Sequence, residues 1–232
     1  MGKLRLHPGD VHVWRGDLAK ISSDELSCLA ATLSEAERMH ARDFRFNRDR
    51  TRYIARRGVL RSLLGRYTGV APSKLSFHQS PTGKSALSEI SGPQWSTSHS
   101  GDVMLIALCN QAAVGIDVEK VNSQFDFLPV VRCFFPPHLA AKIAAVPVDS
   151  QAAEFILIWT KIEAILKGRG AGIANELKDP GNSSSTSENG TTFIEGFEEN
   201  EYFHSFSARE GYIATLFAHV EHPSITWFDW PR

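Results

Sequence analysis

The sequence lacks the features that mark disulfide-rich, zinc-binding and membrane-spanning proteins. It has only three cysteines among 232 residues, and Cys28, Cys109 and Cys133 lie far apart in the chain. Such a set provides neither a disulfide framework nor the paired spacing of a zinc site. No apolar run approaches the roughly 20 residues that span a bilayer, and the first 14 residues contain no apolar secretion-signal core. We therefore expect a cytoplasmic protein that has no contact with a membrane.

An excess of charge of either sign is also missing. Lysine and arginine number 25, aspartate and glutamate number 26, and the formal net charge is −1. A near-neutral chain has little general attraction for nucleic acid, so nucleic-acid binding would need a local basic patch. Residues 38–66 are such a segment, with ten arginines and no lysine. Guanidinium groups match phosphate oxygens in geometry, so this segment fits a phosphorylated ligand or, as the alternative, a nucleic-acid-binding module.

Hydrophobic periodicity predicts a mixture of helices and strands. Helices are expected at 22–44, 47–67 and 150–170, with a turn and a helix around Pro136 and Pro137. Strands are expected around 10–14, 74–78, 94–98, 103–109 and 112–121, and antiparallel strands at 202–209, 211–220 and 224–230. The polar segment 175–192 is expected to be a loop. Each half runs strand, helices, strands, which predicts two similar lobes with a seam near residue 110 and a ligand cleft between them.

The stretch AAVGIDVEKV, residues 112–121, places two carboxylates on one face of a strand. Successive side chains of a strand point to opposite faces. Asp117 and Glu119 therefore share one face, while Ile116 and Val118 pack on the other. Two like charges at this spacing require a divalent cation, an arginine or lysine, or open water between or around them.

The stretch WTKIEAILKGRGAG adds a third carboxylate, on a helix. Trp159, Glu163 and Lys167 are four residues apart and share one stripe of that helix. Taken alone, Glu163 and Lys167 would be an ordinary surface pair. Taken with Asp117 and Glu119, they describe a site of oxygen ligands without histidine or cysteine, which suits Mg²⁺.

A third stretch, SPTGKSAL followed by WSTSHSGD, carries donors for phosphate oxygens. The TGKS segment is not a complete phosphate loop, because His78 stands where that motif needs glycine. The TSHSG segment lacks the G-x-S-x-G pattern of a nucleophile elbow. The remaining interpretation is a set of small or cationic donors, although His99 alone would more often be a turn residue: Lys84, Ser98, His99 and Ser100.

Five stretches, in this order and spacing, resemble the 4′-phosphopantetheinyl transferases of the larger, surfactin-synthetase-activating type. They are FRFNRDRTRYIARRGVLRSLL, SPTGKSAL, STSHSGD, VGIDVEK and WTKIEAILKGRGAG, and the resemblance covers about residues 33–172. It implies a pseudo-symmetric α+β monomer that binds coenzyme A between two lobes. Residues 1–110 would bind the nucleotide, and residues 111–232 would hold the metal and contact the carrier.

The resemblance also implies an activity, which is Mg²⁺-dependent transfer of phosphopantetheine from coenzyme A to a serine of an apo acyl or peptidyl carrier protein. The other product would be adenosine 3′,5′-bisphosphate. The implied metal ligands are Asp117, Glu119 and Glu163. The implied contacts to coenzyme A are Arg52, Lys84, Ser98, His99 and Lys167. Glu163 and Lys167 would also act in the chemistry, with Glu163 or a metal-bound water as the base.

Two positions depart from the family pattern. Ile162 replaces the lysine that usually precedes the motif glutamate, and the neighbouring Lys161 points about 100° away around the helix. Ser85 replaces a proline after Lys84. A family member that binds coenzyme A or a carrier without turnover is therefore a further alternative.

The carrier is expected to meet an apolar surface with basic patches in the segment 124–143. Ordinary core phenylalanines are an equally good interpretation of this segment. The candidate contacts are Phe125, Phe127, Leu128, Arg132, Phe134 and Phe135.

Overall fold

The computed structural model describes residues 4–80, 83–88, 90–110, 112–170 and 201–230, and these form a mixed α+β fold. The helices are α1 (Ser23–Thr32), α2 (Glu35–Arg42), α3 (Asn47–Thr68), α4 (Leu128–Phe134), α5 (Pro137–Ala145) and α6 (Val148–Arg169). The strands are β1 (Asp10–Asp17), β2 (Phe77–Gln79), β3 (Ser85–Leu87), β4 (Gln94–Ser100), β5 (Val103–Cys109), β6 (Val114–Lys120), β7 (Tyr202–Arg209), β8 (Tyr212–Ala218) and β9 (Ser224–Trp230). The α+β class is confirmed, whereas the pseudo-two-fold relation stays a prediction. The loop expected at 175–192 lies outside the described residues.

The strands form two larger sheets and one small one within the described ranges. The first sheet has the order β4-β5-β1-β9, the second has the order β6-β8-β7, and β2 pairs with β3. Neighbours in the first sheet are antiparallel except for β1 and β9, which are parallel. The second sheet is antiparallel throughout.

The last strand lies in a different sheet from the two strands before it. β7 and β8 pair antiparallel as expected, but the antiparallel prediction is wrong for β9, which pairs in parallel with β1. Side chains explain the choice, since Trp14 stacks on Phe228 at 4.5 Å between ring centroids and Arg15 binds both carboxylate oxygens of Asp229. The division into lobes 1–110 and 111–232 stays a prediction. Strand β9, which belongs to residues 111–232, nevertheless forms part of the first sheet.

The helix expected at 22–44 is divided into α1 and α2. Ser34 starts α2 with a capping box, in which its hydroxyl accepts from Glu37 N and the Glu37 carboxylate accepts from Ser34 N. Such a box satisfies backbone donors that only a helix start leaves free, so a new helix begins there. Among the helices in the described ranges, none combines the length and the apolar character needed to cross a bilayer.

The fold is layered, and the layers place β6 and α6 side by side. Leu63 of α3 packs with Ile106 of β5 on one face of the first sheet. Val13 of β1 packs with Ile116 and Leu216 between the two larger sheets. Helix α6 then covers the outer face of the second sheet, against β6 and β8.

Candidate active site

Helix α6 lies directly against the backbone of β6, and a glycine makes this possible. A Cβ at Gly115 would overlap the carbonyl oxygen of Ala164. Ile116 and Val118 are fully buried between the sheets. The alternation predicted for this strand is therefore confirmed, and the face with Gly115 turns Asp117 and Glu119 toward α6.

Asp117 is the most enclosed of the three acidic residues, with 2% of its surface exposed. Its Oδ1 accepts from Ser98 Oγ at 2.7 Å and from Lys167 Nζ at 2.6 Å. Its Oδ2 is buried and has no hydrogen-bond partner among the residues that the structure describes. A buried carboxylate oxygen without a donor is costly, so this atom marks a place where a ligand would be stabilised.

Glu119 and Glu163 are half-buried and lie within the electrostatic reach of Asp117. Burial raises the pKa of Glu119, against a hydrogen bond from Ser100, and the charge of Asp117 raises it further. Burial also raises the pKa of Glu163, with Lys167 opposing and the charges of Asp117 and Glu119 adding to the rise. Three carboxylates thus repel one another at one place, which is the charge pattern that a bound cation relieves.

Lys167 supplies the positive charge in this arrangement. It binds Asp117 across the helix–strand contact, and the ordinary Glu163–Lys167 surface pair is not recorded within the described part of the chain. Those residues likewise include no ready group of three or more histidine, cysteine, aspartate or glutamate ligands around a common point. The oxygen-only donors, the mutual repulsion and the unpartnered Oδ2 nevertheless fit a hard divalent cation in chemistry and charge.

Strand β4 holds the outer edge of β6 through serine hydroxyls. Ser98 Oγ accepts from Val118 N at 3.3 Å and from Lys167 Nζ at 3.3 Å, and it donates to Asp117. This uses the hydroxyl's one proton and both lone pairs. The predicted role of Ser98 toward coenzyme A stays a prediction, and in this structure its hydroxyl is fully occupied by protein groups.

Arg52 and Arg56 of α3 differ in what their charges contact. Arg52 donates through Nε and Nη2 to Asp102 Oδ1, at 3.1 and 2.6 Å. Arg56 Nη1 lies against the His99 ring, 2.7 Å from Nδ1 and 2.5 Å from Nε2, and no carboxylate partner is recorded for Arg56 in the described ranges. Arg56 and His99 border a cavity of about 160 Å³ that Ser98 also lines. An arginine without a counter-charge beside a cavity is suited to an anion.

His99 is held in its neutral form by this environment. The loss of water around the ring lowers its pKa to about 4, and the charges of Arg56, Lys167 and Arg52 contribute. Arginine can only donate, so the ring accepts its hydrogen bond. Sequence reasoning named His99 but missed Arg56, because nothing in the motif separates it from nine other arginines nearby.

Lys84 lies at the contact between β6 and the end of α6. Its Nζ donates to the carbonyl oxygens of Val114 at 3.2 Å and Gly168 at 3.0 Å. Burial lowers its pKa to about 8. The structure therefore gives Lys84 a tie between two elements of the site, and its predicted contact with coenzyme A stays a prediction.

Comparison with known proteins assigns this arrangement to a family. Residues 113–217 match a model described as the 4′-phosphopantetheinyl transferase superfamily, and residues 20–111 match one described as 4′-phosphopantetheinyl transferase, N-terminal. Over 174 residues the chain is 37% identical to the 4′-phosphopantetheinyl transferase HetI of a Nostoc species, which covers 74% of this chain and 73% of that protein. The chain belongs to the 4′-phosphopantetheinyl transferase superfamily.

More distant members of the superfamily match as well. The 4′-phosphopantetheinyl transferase Sfp of Bacillus subtilis is 25% identical over 157 residues, 68% of this chain and 69% of that protein. The 4′-phosphopantetheinyl transferase AcpT of Salmonella typhimurium is 33% identical over 111 residues, 47% of this chain and 56% of that protein. Membership of the larger, surfactin-synthetase-activating type stays a prediction.

The departure from the superfamily motif at position 162 has a packing explanation. Ile162 packs against the apolar cluster of α4, α5 and α6 that includes Phe155 and Ile158. Lys161 is exposed and lies on another face of α6. An apolar side chain at position 162 therefore contributes to the core that fixes α6 under the carboxylates.

Part of the segment expected to meet the carrier is exposed. Phe125, Leu128 and Phe134 keep 48%, 49% and 43% of their surface open to solvent. Phe135 is buried and Phe127 stacks on Phe155 at 5.1 Å between centroids, so both belong to the core. Of these exposed residues, Phe125 lines a cavity of about 290 Å³ together with Glu119 and Phe127.

Proposed function

We propose that the protein transfers the 4′-phosphopantetheine group of coenzyme A to a serine of an apo acyl or peptidyl carrier protein. The observation that carries the proposal is the convergence of Asp117 and Glu119 from β6 with Glu163 and Lys167 from α6, in a chain of this superfamily. Sites of phosphoryl transfer need charge neutralisation and positioning more than covalent chemistry. Both are available where these two elements meet.

The bonds change as follows. The carrier serine oxygen forms a new bond to the β-phosphorus of coenzyme A, and the bond from that phosphorus to the bridging diphosphate oxygen breaks. Adenosine 3′,5′-bisphosphate leaves with the bridging oxygen, and the serine proton passes to a base. Asp117, Glu119 and Glu163 would hold Mg²⁺, which when bound offsets the negative charge of the diphosphate.

Glu163 is the proposed base. Asp117 is held by Ser98 and Lys167, and Glu119 is held by Ser100. For Glu163 no hydrogen bond or ion pair is recorded within the described residues, so one of its carboxylate oxygens could accept a proton while the other holds the cation. A base needs hydrogen-bond reach of the attacking hydroxyl, and the proposal therefore requires the carrier serine to enter beside Glu163.

The cationic side of the site would receive the phosphate groups of coenzyme A. Lys167 lies at the carboxylates, and Arg56 and His99 lie at the neighbouring cavity. Arg56 is a better candidate for a free phosphate contact than Arg52, since Asp102 already neutralises Arg52. We retain Arg52, Lys84 and Ser98 as proposed contacts that would need to exchange or share their present partners.

The carrier would bind beside Glu119, on the exposed apolar residues Phe125, Leu128 and Phe134. Arg132, which lies between them in the sequence, would face the acidic groups of the carrier. A monomer in the cytoplasm, without nucleic acid or membrane partners, completes the proposal. The arginine-rich module receives less support, because Arg57 and Arg61 are both bound to the buried Glu37.

A mass measurement on apo carrier proteins tests this function. The protein is incubated with coenzyme A, Mg²⁺ and a panel of apo acyl and peptidyl carriers. We expect at least one carrier to gain the mass of phosphopantetheine on its serine, adenosine 3′,5′-bisphosphate to appear in equal amount, and EDTA to stop both. If every carrier keeps its mass while an active superfamily member modifies it under the same conditions, the proposal is contradicted.

A further inference from the structure

Three serines of β4 connect the first sheet to the second. Ser96, Ser98 and Ser100 lie at alternate positions of β4, and their hydroxyls accept from backbone N–H groups on the outer edge of β6. The donors are Ile116 N at 3.1 Å, Val118 N at 3.3 Å and Lys120 N at 3.1 Å. We call these three residues the serine joint. It satisfies an edge that would otherwise have unpaired backbone donors.

The three serines differ in what they donate to. Ser98 Oγ donates to Asp117 and Ser100 Oγ donates to Glu119 Oε2, at 2.7 and 2.8 Å. For Ser96 the corresponding position of β6 is Gly115, which has no side chain to accept. Within the described part of the chain, Ser96 Oγ therefore makes the backbone contact alone, whereas Ser100 Oγ makes the backbone contact and holds a carboxylate.

The second hydrogen bond of Ser100 limits the freedom of Glu119. The hydroxyl is fixed by Lys120 N, and the carboxylate it holds belongs to the adjacent residue of the same strand. A glutamate side chain has several rotatable bonds, and a carboxylate that must bind a ligand loses affinity if it has to be ordered first. Mutating an outer group that orients a metal-binding carboxylate commonly lowers metal affinity or activity 10–100-fold.

We propose that Ser100 is a positioning residue, which orients the Glu119 carboxylate for a divalent cation while also closing the serine joint. This rests on the proposed function, in which Glu119 is a ligand of that cation. The competing view is that Ser100 serves only the joint, as Ser96 does. The two views differ in what loss of each hydroxyl does to cation binding.

The test compares Ser100→Ala, Ser100→Thr and Ser96→Ala with the wild-type protein. Binding of Mn²⁺ is measured by electron paramagnetic resonance in the presence of coenzyme A, with coenzyme A alone subtracted. Thermal unfolding of each variant is followed in parallel. In an active preparation, kcat and the apparent KM for Mg²⁺ are measured against a saturating carrier.

We expect Ser100→Ala to weaken Mn²⁺ binding about tenfold or more and to raise the KM for Mg²⁺ by a similar factor. Ser100→Thr keeps a hydroxyl, so its Mn²⁺ affinity should stay close to that of the wild-type protein and well above that of Ser100→Ala. Ser96→Ala should bind Mn²⁺ as wild type does, even though it loses a joint hydrogen bond and melts at a lower temperature.

Equal Mn²⁺ affinity of Ser100→Ala and wild type would overturn the inference. So would equal weakening in Ser100→Ala and Ser96→Ala, because a general loosening of the joint would then explain both. Absence of Mn²⁺ binding by the wild-type protein would overturn it as well. A wild-type protein that binds Mn²⁺ and shows the expected contrast but modifies no carrier would support the inference and contradict the proposed transfer.

Discussion

Lys167 is the residue whose charge holds the buried carboxylate of Asp117. The ion pair measures 2.6 Å, and the aspartate has almost no contact with solvent. Removing one partner of such a pair leaves a charge with neither water nor a counter-charge, which costs more than the pair itself contributes.

Lys167→Ala should therefore reduce both stability and transfer. We expect the free energy of unfolding in urea to fall by about 2 kcal/mol and the transfer rate to fall by about 100-fold or more. Lys161→Ala removes an exposed lysine from the same helix and should change neither quantity appreciably. If the two variants behave alike, Lys167 does not have this role.

The pKa of His99 should reflect both the loss of water around its ring and the positive charges beside it. Its pKa is lowered to about 4, below the ordinary 6.5, chiefly by the loss of water around the ring. Between these two values the unfolded chain binds more protons at this residue than the folded protein does. The contribution of His99 to stability is therefore present above pH 6.5 and is lost as the pH falls toward 4.

Titration of the His99 ring followed by proton NMR should give a midpoint well below 6. In His99→Gln the dependence of unfolding free energy on pH between 4 and 6.5 should be shallower than in the wild-type protein. A midpoint near 6.5 would mean that the ring is neither shielded from water nor influenced by the charges of Arg56, Lys167 and Arg52.

The contact between β6 and α6 is the element-scale feature on which the site depends. Gly115 allows the strand backbone to approach the Ala164 carbonyl, and Lys84 ties Val114 to Gly168 beside it. This places the side chains of Glu163 and Lys167 over Asp117. A larger residue at position 115 would displace the helix as a whole.

We expect Gly115→Ala to lower the free energy of unfolding by about 3 kcal/mol, the upper end of what over-packing costs. The transfer rate should fall by more than the loss of folded protein explains. Even in the molecules that stay folded, α6 would be displaced from β6. A Gly115→Ala protein with wild-type stability and rate would show that the close approach is not needed.

Local sequence patterns predicted the strand and the helix of the site, but they did not predict the contacts between residues that are distant in the chain. The period-two alternation placed Asp117 and Glu119 on one face, and the spacing of four aligned Glu163 with Lys167 along α6. The serine joint could not be predicted in the same way, because β4 and β6 belong to different sheets and their contact has no signal in either strand. Arg56 was equally hidden, since its role depends on which of ten arginines meets His99.

At the scale of the whole molecule, the last strand makes the two ends of the chain interdependent. β9 adds to the first sheet, where Phe228 stacks on Trp14. Strand propensity could predict that 224–230 is extended, but pairing with a strand more than 200 residues earlier depends on the assembled fold.

Phe228→Ala should consequently destabilise the first sheet. We expect the free energy of unfolding to fall by about 2 kcal/mol, below the range for a fully buried phenylalanine because this one is half-buried. Thr226→Ala, at an exposed position of the same strand, is the matched control and should have little effect. Equal stability of the two variants would mean that β9 contributes little to the first sheet.

The central claim is that Asp117 belongs to a site that neutralises the diphosphate of coenzyme A during transfer to a carrier. The most direct measurement is the rate of carrier modification by Asp117→Asn, which keeps the size of the side chain and removes its charge. We predict a loss of about 100-fold or more in the presence of saturating Mg²⁺ and coenzyme A, with Asp149→Asn, exposed at the start of α6, retaining the wild-type rate. An Asp117→Asn protein that modifies the carrier as fast as wild type would contradict the account.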